Sequence, residues 1–158
     1  MADDDRDHIV RVEIDEASLA ATSPEAEEER RVAKFDLLED NHFELVGAPG
    51  PYDLRLAAEG GRLVLDVRDA SRKPIRQIVL SLTPFRRIIR DYFLVCESYY
   101  AALREATPAQ IEAIDMGRRG LHNEGSGLLA ERLKGKVEMD HDTARRLFTL
   151  VCSLHRPR

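Results

Sequence analysis

The sequence has no long hydrophobic run, and this absence argues against a membrane-spanning protein. A helix needs about 20 consecutive apolar residues to cross a bilayer, and no stretch of the 158 residues approaches that length. The first residues, Met-Ala-Asp-Asp-Asp-Arg-Asp, are acidic, whereas a secretory signal peptide is basic and then apolar. We therefore predict a cytoplasmic protein with no membrane partner.

Cysteine is also scarce, because the chain contains only Cys96 and Cys152. Each follows apolar residues, in the runs Phe-Leu-Val-Cys and Leu-Val-Cys. A free cysteine in such surroundings packs as a small hydrophobic side chain. We predict two reduced thiols in the core rather than a disulfide or a nucleophile.

Positive charge is not in excess, since the formal net charge is -5. This balance argues against nucleic acid as a partner. The charge is uneven, however, because residues 3–29 are strongly acidic and no carboxylate occurs between Ala70 and Arg90. The cations of that segment are Arg72, Lys73, Arg76, Arg86, Arg87 and Arg90. We interpret them as a solvated face that pairs with the acidic N-terminal region, and an anion-binding patch is the alternative.

The pattern of apolar residues predicts a single α+β domain over residues 1–158, with a disordered acidic segment at residues 1–7. Alternating apolar and polar residues indicate about five strands in one antiparallel sheet. These strands cover residues 8–14, 42–46, 52–58, 62–67 and 75–82. Gly60-Gly61 between two of these runs is typical of a hairpin, so the later strands are predicted to form a meander.

Start signals predict four helices, one early in the chain and three at its C-terminal end that pack against the sheet. Each helix begins after a residue that can cap its first turn, and the caps are Ser23, Thr83, Thr107 and Asp140. Proline follows the first three caps, as is common at the first position of a helix. In the first helix, residues 24–40, the predicted inward-facing side chains are Val32, Ala33, Phe35, Leu37 and Leu38.

The stretch from Gly117 to Gly127 is the most informative part of the chain. It reads Gly-Arg-Arg-Gly-Leu-His-Asn-Glu-Gly-Ser-Gly and holds four of the nine glycines. Glycine costs about 1 kcal/mol relative to alanine inside a helix, yet apolar residues keep helical spacing through the stretch. We predict that the helix persists to about residue 133 and that Gly117 and Gly120 are points where another backbone approaches.

This stretch also supplies the candidate site, which consists of Arg118, Arg119, His122, Asn123 and Glu124. Arg118 and His122 share a helix face. A guanidinium, an imidazole and an amide can together hold a phosphate or a carboxylate. We predict that Arg118, His122 and Glu124 lie close together and buried. Three interpretations follow: a lock between helices, a ligand-binding site, or a catalytic site.

In the catalytic interpretation, His122 is the general acid or base, Glu124 orients it, and Arg118 holds the charge of an anionic substrate. No cofactor or metal is predicted. Neither His122 nor His141 has a second histidine four residues away, which is the spacing that a metalloprotease helix uses to bind zinc.

The C-terminal third of the chain resembles a known family. The residues Gly-Arg-Arg-Gly-Leu-His-Asn-Glu-Gly at 117–125 and Thr-Ala-Arg-Arg-Leu-Phe-Thr-Leu at 143–150 resemble the uncharacterised protein family 0262, short cytosolic proteins known mainly from alphaproteobacteria. The resemblance extends over nearly the full chain. It implies a bacterial source, a single domain and no assigned activity, so it carries no catalytic residues over to this sequence.

Together these observations favour a non-enzymatic regulatory or interaction module that acts as a homodimer. The last helix is apolar over more than half its circumference, whereas a helix on one side of a small domain needs only a stripe. We therefore expect a dimer through the C-terminal helices, with an anionic small molecule or a protein as a further partner. The alternative is a small enzyme that acts on a phosphorylated or anionic substrate through His122, Glu124 and Arg118.

Overall fold

A four-stranded sheet packed against helices forms the frame of the protein. The structure is a computed structural model, and it describes residues 6–15, 17 and 23–154. The order of the elements confirms the predicted α+β class, with one helix early in the chain and three after the sheet.

The sheet contains β1 (Ile9–Ile14), β3 (Tyr52–Glu59), β4 (Arg62–Asp69) and β5 (Pro74–Ser81). These strands lie in the order β1-β3-β4-β5. The last three form the predicted antiparallel meander, whereas β1 runs parallel to β3. The sheet is therefore mixed, with one strand fewer than the five predicted.

The remaining predicted strand belongs to a separate small sheet. β2 (Phe43–Leu45) pairs in antiparallel fashion with β6 (Val137–Met139), and it does not join the meander. Tyr52 explains part of this arrangement, because its hydroxyl accepts a hydrogen bond from Leu45 N–H at 3.0 Å and donates one to the Ala48 backbone oxygen at 2.5 Å. These two hydrogen bonds of Tyr52 thus hold the loop between β2 and β3, and β2 does not pair with any strand of the larger sheet.

The helices are α1 (Pro24–Glu39), α2 (Arg86–Glu105), α3 (Pro108–Leu133) and α4 (His141–Cys152). Three predicted caps are confirmed, because the side chains of Ser23, Thr107 and Asp140 accept hydrogen bonds from first-turn N–H groups. Thr83 instead begins a 3-10 turn without a side-chain cap, and α2 follows that turn. No helix of the described chain has an apolar stretch long enough to span a membrane.

α4 is the most buried helix. Its buried residues are Thr143, Ala144, Leu147, Phe148, Leu150, Val151 and Cys152, and both α1 and α3 pack against it. The apolar surface from which we predicted a dimer is therefore covered within one chain. Cys96 and Cys152 are free and buried, as predicted.

α1 is less buried than predicted. Ala33 and Leu37 are buried, but Val32, Phe35 and Leu38 are exposed, Phe35 to 61%. Positions 33 and 37 are one turn apart, so they form a single row that contacts the rest of the core. The prediction is wrong for the other three residues, because only one side of α1 has neighbours in the described chain.

α3 runs through the glycine-rich stretch without a break, as predicted. Gly125 is the point of close approach, where a Cβ atom would overlap with the ring of Phe148 on α4. At Gly117, Gly120 and Gly127 a Cβ atom would meet nothing within 4 Å. The prediction of close contacts at Gly117 and Gly120 is therefore wrong, because these positions face away from the rest of the described chain.

Of the predicted disordered segment at residues 1–7, residues 1–5 lie outside the described residues. Arg6 and Asp7 are described, and their backbone oxygens accept hydrogen bonds from His8 N–H at 2.8 Å and Phe43 N–H at 2.9 Å. Both residues thus take part in backbone hydrogen bonds, and the second bond links Asp7 to β2.

Two glycine substitutions test the packing of α3. We expect Gly125→Ala to lower the free energy of unfolding by about 1–3 kcal/mol, because the added methyl group forces the Phe148 ring to move. Gly120→Ala adds the same methyl group where the chain itself leaves open space, and in the monomer it should raise the free energy of unfolding by about 1 kcal/mol. Urea unfolding followed by circular dichroism measures both, and equal stability of the two variants would contradict the contact at Gly125.

Candidate functional site

A cleft opens where α1, α3 and α4 meet. It encloses about 500 Å³, within the range of roughly 300–1,000 Å³ that is typical of small-molecule sites. The α1 side is mainly acidic, with Glu28, Glu29 and Asp36. The polar residues from α3 and α4 are mainly basic, namely Arg118, Arg119, His122, Asp142, Arg145, Arg146 and Thr149.

His122 is the most buried polar residue of the cleft, with 8% of its surface exposed. Its Nε2 lies 2.8 Å from Thr149 Oγ1, and its Nδ1 lies 3.4 Å from Ser126 Oγ. Both hydroxyls donate to backbone oxygens, that of Thr149 to Arg145 and that of Ser126 to His122 itself. Each hydroxyl oxygen is then available as an acceptor, and we assign the imidazole N–H to Nε2, which makes the shorter contact.

The surroundings of His122 keep its imidazole neutral. The rings of Tyr92 and Phe148 have centroids 5.3 and 5.2 Å from that of His122. Burial, together with the positive charges of Arg145 and Arg118, lowers the pKa of His122 from 6.5 to about 4. The contact between His122 Nε2 and Thr149 links α3 to α4, and a pKa of about 4 leaves the imidazole unprotonated at neutral pH.

Arg118 lines the same cleft, but carboxylates already neutralise its charge. Its Nη2 lies 2.7 Å from Asp115 Oδ1, and its Nη1 lies 3.1 Å from Glu29 Oε1. Its guanidinium carbon lies 4.4 Å from the centroid of the Tyr99 ring, which is a cation–π arrangement. Arg118 therefore ties α3 to α1 and α2, and a ligand would compete with two carboxylates for its donors.

The other predicted site residues are placed differently. Glu124 is exposed and pairs with Arg87 at 3.1 Å, and neither Glu124 nor Asn123 lines the cleft. Arg119 lines the cleft and pairs with Asp115 at 3.2 Å. Because a helix turns by about 100° per residue, positions 123 and 124 leave the face on which His122 lies. The structure thus brings Arg118 and His122 together and separates Glu124 from both.

Arg145, Arg146 and Thr149 of α4 are cleft residues that the sequence analysis missed. The ion pairs of the cleft arginines involve Arg118 and Arg119, and none involves Arg145 within the described residues. Its Nε atom is buried and has no hydrogen-bond partner there. The sequence does contain a pattern that could have identified them. Positions 142, 145, 146 and 149 form a polar row at helical spacing on an otherwise apolar helix.

Within the part of the chain that the structure describes, neither a reactive thiol nor a metal centre accompanies these residues. Burial raises the pKa of Cys96 to about 11, so its thiol is protonated and unreactive at neutral pH. Over the described ranges, no group of three or more His, Cys, Asp or Glu side chains is arranged to hold a metal ion. The chemistry of the cleft therefore rests on its guanidinium, imidazole, hydroxyl and carboxylate groups.

Comparison with known proteins identifies the family. Residues 6–157 match the Uncharacterised protein family UPF0262. The chain belongs to this family. The resemblance predicted from the C-terminal third is therefore confirmed, and the family description assigns no function.

The relatives are bacterial proteins of similar length. A UPF0262 protein of Phenylobacterium zucineum is 63% identical over 158 residues, which is 98% of this chain and 98% of that relative. A UPF0262 protein of Rhodospirillum rubrum is 60% identical over 151 residues, with 96% of this chain and 94% of the relative covered. A UPF0262 protein of Caulobacter vibrioides is 61% identical over 148 residues, which is 93% of this chain and 92% of that relative. No solved structure matches the chain.

His122 gives the fold a measurable pH dependence. Because the pKa of His122 is lowered from 6.5 to about 4 in the folded chain, the unfolded chain binds more protons between these two pH values. The contribution of His122 to stability is therefore fully present above the unfolded pKa. It is lost as the pH falls through the folded pKa, by on the order of 3 kcal/mol. Urea unfolding at a series of pH values measures this loss.

A variant assigns the pH dependence to this residue. His122→Gln removes the titrating group and should flatten the change in stability between pH 6.5 and about 4. His141→Gln is the matched control, because His141 is exposed at the start of α4, and it should leave the change intact. Identical pH profiles for the wild type and His122→Gln would contradict a neutral, buried imidazole.

Proposed function

We propose that the protein is a non-enzymatic regulatory or interaction module whose cleft binds an anionic small molecule. The observation that carries this proposal is the guanidinium of Arg145. Arg145 lines the cleft and is half-buried, and within the described residues no partner bonds to its enclosed Nε atom.

A guanidinium with a buried Nε that lacks a partner is unfavourable, because burial of a charged, hydrogen-bonding group costs free energy unless the group is paired. A ligand with a carboxylate or phosphate group supplies that pair, since two of its oxygens match the fork of N–H donors on arginine. Arg146 follows Arg145 on α4 and also lines the cleft. Its Nη1 donates to the Asp40 backbone oxygen at 2.7 Å, and its positive charge adds to the potential of the same cleft.

The acidic side of the cleft limits how much negative charge the ligand carries. Glu28 and Asp36 of α1 and Asp142 of α4 line the same space. These carboxylates repel a polyanion, so the cleft favours a ligand with a single phosphate or carboxylate group over a polyphosphate or a nucleic acid. A volume of about 500 Å³ suits a molecule of metabolite size.

The geometry favours binding over the catalytic alternative. Acid–base catalysis at neutral pH works best with a pKa near 7, whereas the pKa of His122 is about 4. Its predicted partner Glu124 pairs instead with Arg87. In this proposal His122 has a structural role, because its bond to Thr149 holds α4, and with it Arg145, against α3.

A homodimer through the C-terminal helices is the second part of the proposal. The proposed contact surface lies on α3, because the apolar face of α4 is covered within one chain. Gly117, Gly120 and Gly127 are open, and Met116 beside them is 61% exposed. Each glycine costs the helix about 1 kcal/mol, and no contact within the described chain accounts for that cost. The α3 helix of a second copy could approach closely at these positions, because they have no Cβ atoms.

Inorganic phosphate and acetate test the ligand site. A ligand that binds only the folded chain raises its melting temperature by mass action. We expect the melting temperature to rise with at least one of these anions, relative to chloride at equal ionic strength. Arg145→Gln should abolish the rise because it removes the charge that pairs with the anion. Differential scanning fluorimetry measures both proteins.

A control variant separates the site from general charge effects. Arg104→Gln removes an exposed arginine in the last turn of α2, and it should keep the rise in melting temperature. If neither anion stabilises the wild type, or if Arg145→Gln is stabilised as strongly, Arg145 is not an anion ligand.

Multi-angle light scattering tests the dimer. We expect the wild type, at tens of micromolar, to have twice the 17.9 kDa mass of one chain. Gly120→Arg should be monomeric, because a long side chain prevents close approach of two α3 helices. Ala101→Arg, at an exposed position of α2, is the control and should remain dimeric. A monomeric wild type would refute the dimer and leave the ligand proposal intact.

A further inference from the structure

One edge of the sheet is open. β5 is the last strand in the sheet order, and no strand pairs with its outer side in the part of the chain that the structure describes. Leu82 N–H donates to the Gly61 backbone oxygen at 2.9 Å. Hydrogen-bonded pairs alternate along an antiparallel ladder, so the even-numbered residues of β5 bond to β4. The N–H and C=O groups of Gln77, Val79 and Ser81 consequently point toward the open edge.

Three positively charged residues lie in β5 or directly before it. Arg72 and Lys73 precede β5 and Arg76 lies within it. All three are exposed, and none of them forms an ion pair with another described residue. Arg76 Nη1 donates to the Val46 backbone oxygen at 2.7 Å, a bond that a carboxylate of the partner would replace. The segment from Ala70 to Arg90 contains no carboxylate. Asp69, which precedes it, accepts the Lys73 N–H at 3.0 Å, and one carboxylate leaves these three cations with a net positive charge.

We propose that the open edge of β5 binds an acidic, extended segment of a partner protein. The segment adds to the sheet as a further strand, and its backbone completes the hydrogen-bond ladder, which is a recurring mode of peptide recognition. Its carboxylates pair with the three cations. Its apolar side chains contact Ile75 and Val79, and Val79 is 42% exposed.

Charge and backbone chemistry select this partner over two others. Pairing β5 with the β5 strand of a second copy would bring the cations of both chains together, which is destabilising. A nucleic acid matches the charge of the edge, but it has no peptide groups to complete the ladder.

Amide hydrogen exchange followed by NMR tests the proposal on the full chain. The probe is an acetylated octapeptide of alternating acidic and β-branched residues, Asp-Val-Glu-Ile-Asp-Val-Glu-Ile. We expect the peptide to slow exchange at Gln77, Val79 and Ser81, whose N–H groups are open without it. Exchange at Ile78 and Leu80 should not change, because these N–H groups already bond to β4.

Two comparisons separate ladder formation from charge. The same peptide with every amide N-methylated keeps its carboxylates but has no backbone donors, and it should give no protection. The double variant Lys73→Glu, Arg76→Glu should bind the original peptide about tenfold more weakly. The control, Arg104→Glu with Arg132→Glu, makes the same change in net charge at exposed positions of α2 and α3, and it should bind as the wild type does.

Four outcomes would overturn the proposal. The first is unchanged exchange at Gln77, Val79 and Ser81 in the presence of the peptide. The second is binding of the N-methylated peptide as tight as that of the original peptide, which would show that charge alone accounts for the interaction. The third is protection of the same amides without peptide as protein concentration rises, which would make a second copy the occupant. The fourth is tighter binding of a single-stranded oligonucleotide of the same charge as the peptide.

Discussion

The contact between Phe148 and Gly125 is the constraint on which the helical part of the structure depends. Because Gly125 has no side chain, the Phe148 ring lies directly against the backbone of α3, and α4 can approach α3 closely. The next residue on α4, Thr149, then comes within 2.8 Å of the His122 ring. A single missing Cβ atom thus sets the packing of two helices and the position of one side of the cleft.

Charge pairing distinguishes the arginines of that cleft. Arg118 bonds to Asp115 and Glu29, so its charge serves to hold helices together. Arg145 has no such pair within the described chain, and its charge remains available to a ligand. These two guanidinium groups also help to keep His122 neutral. A protonated imidazole would add a third positive charge next to them at a buried position.

The cleft and the edge of β5 would recognise their partners through different groups. In the cleft, the proposed recognition would depend on the half-buried side chain of Arg145, so that a single substitution there would remove it. At the edge of β5, the backbone supplies the donors and acceptors, and the cations only select an acidic strand. The lining of the cleft holds four arginines and four carboxylates, and the chain as a whole has a net charge of -5, so neither proposal depends on a net positive charge of the protein. Local pairing matters more here than the sum of charges.

Local signals in the sequence were enough to predict most helices and the hairpin at Gly60-Gly61, because caps and turns act within a few residues. The cap residues Ser23, Thr107 and Asp140 and the continuity of α3 are examples. Only the tertiary structure decided that β2 pairs with β6, that Gly125 rather than Gly120 receives a ring, and that Arg145 lines the cleft. Periodicity indicates which side chains share a face, but burial and pairing depend on distant segments that meet that face.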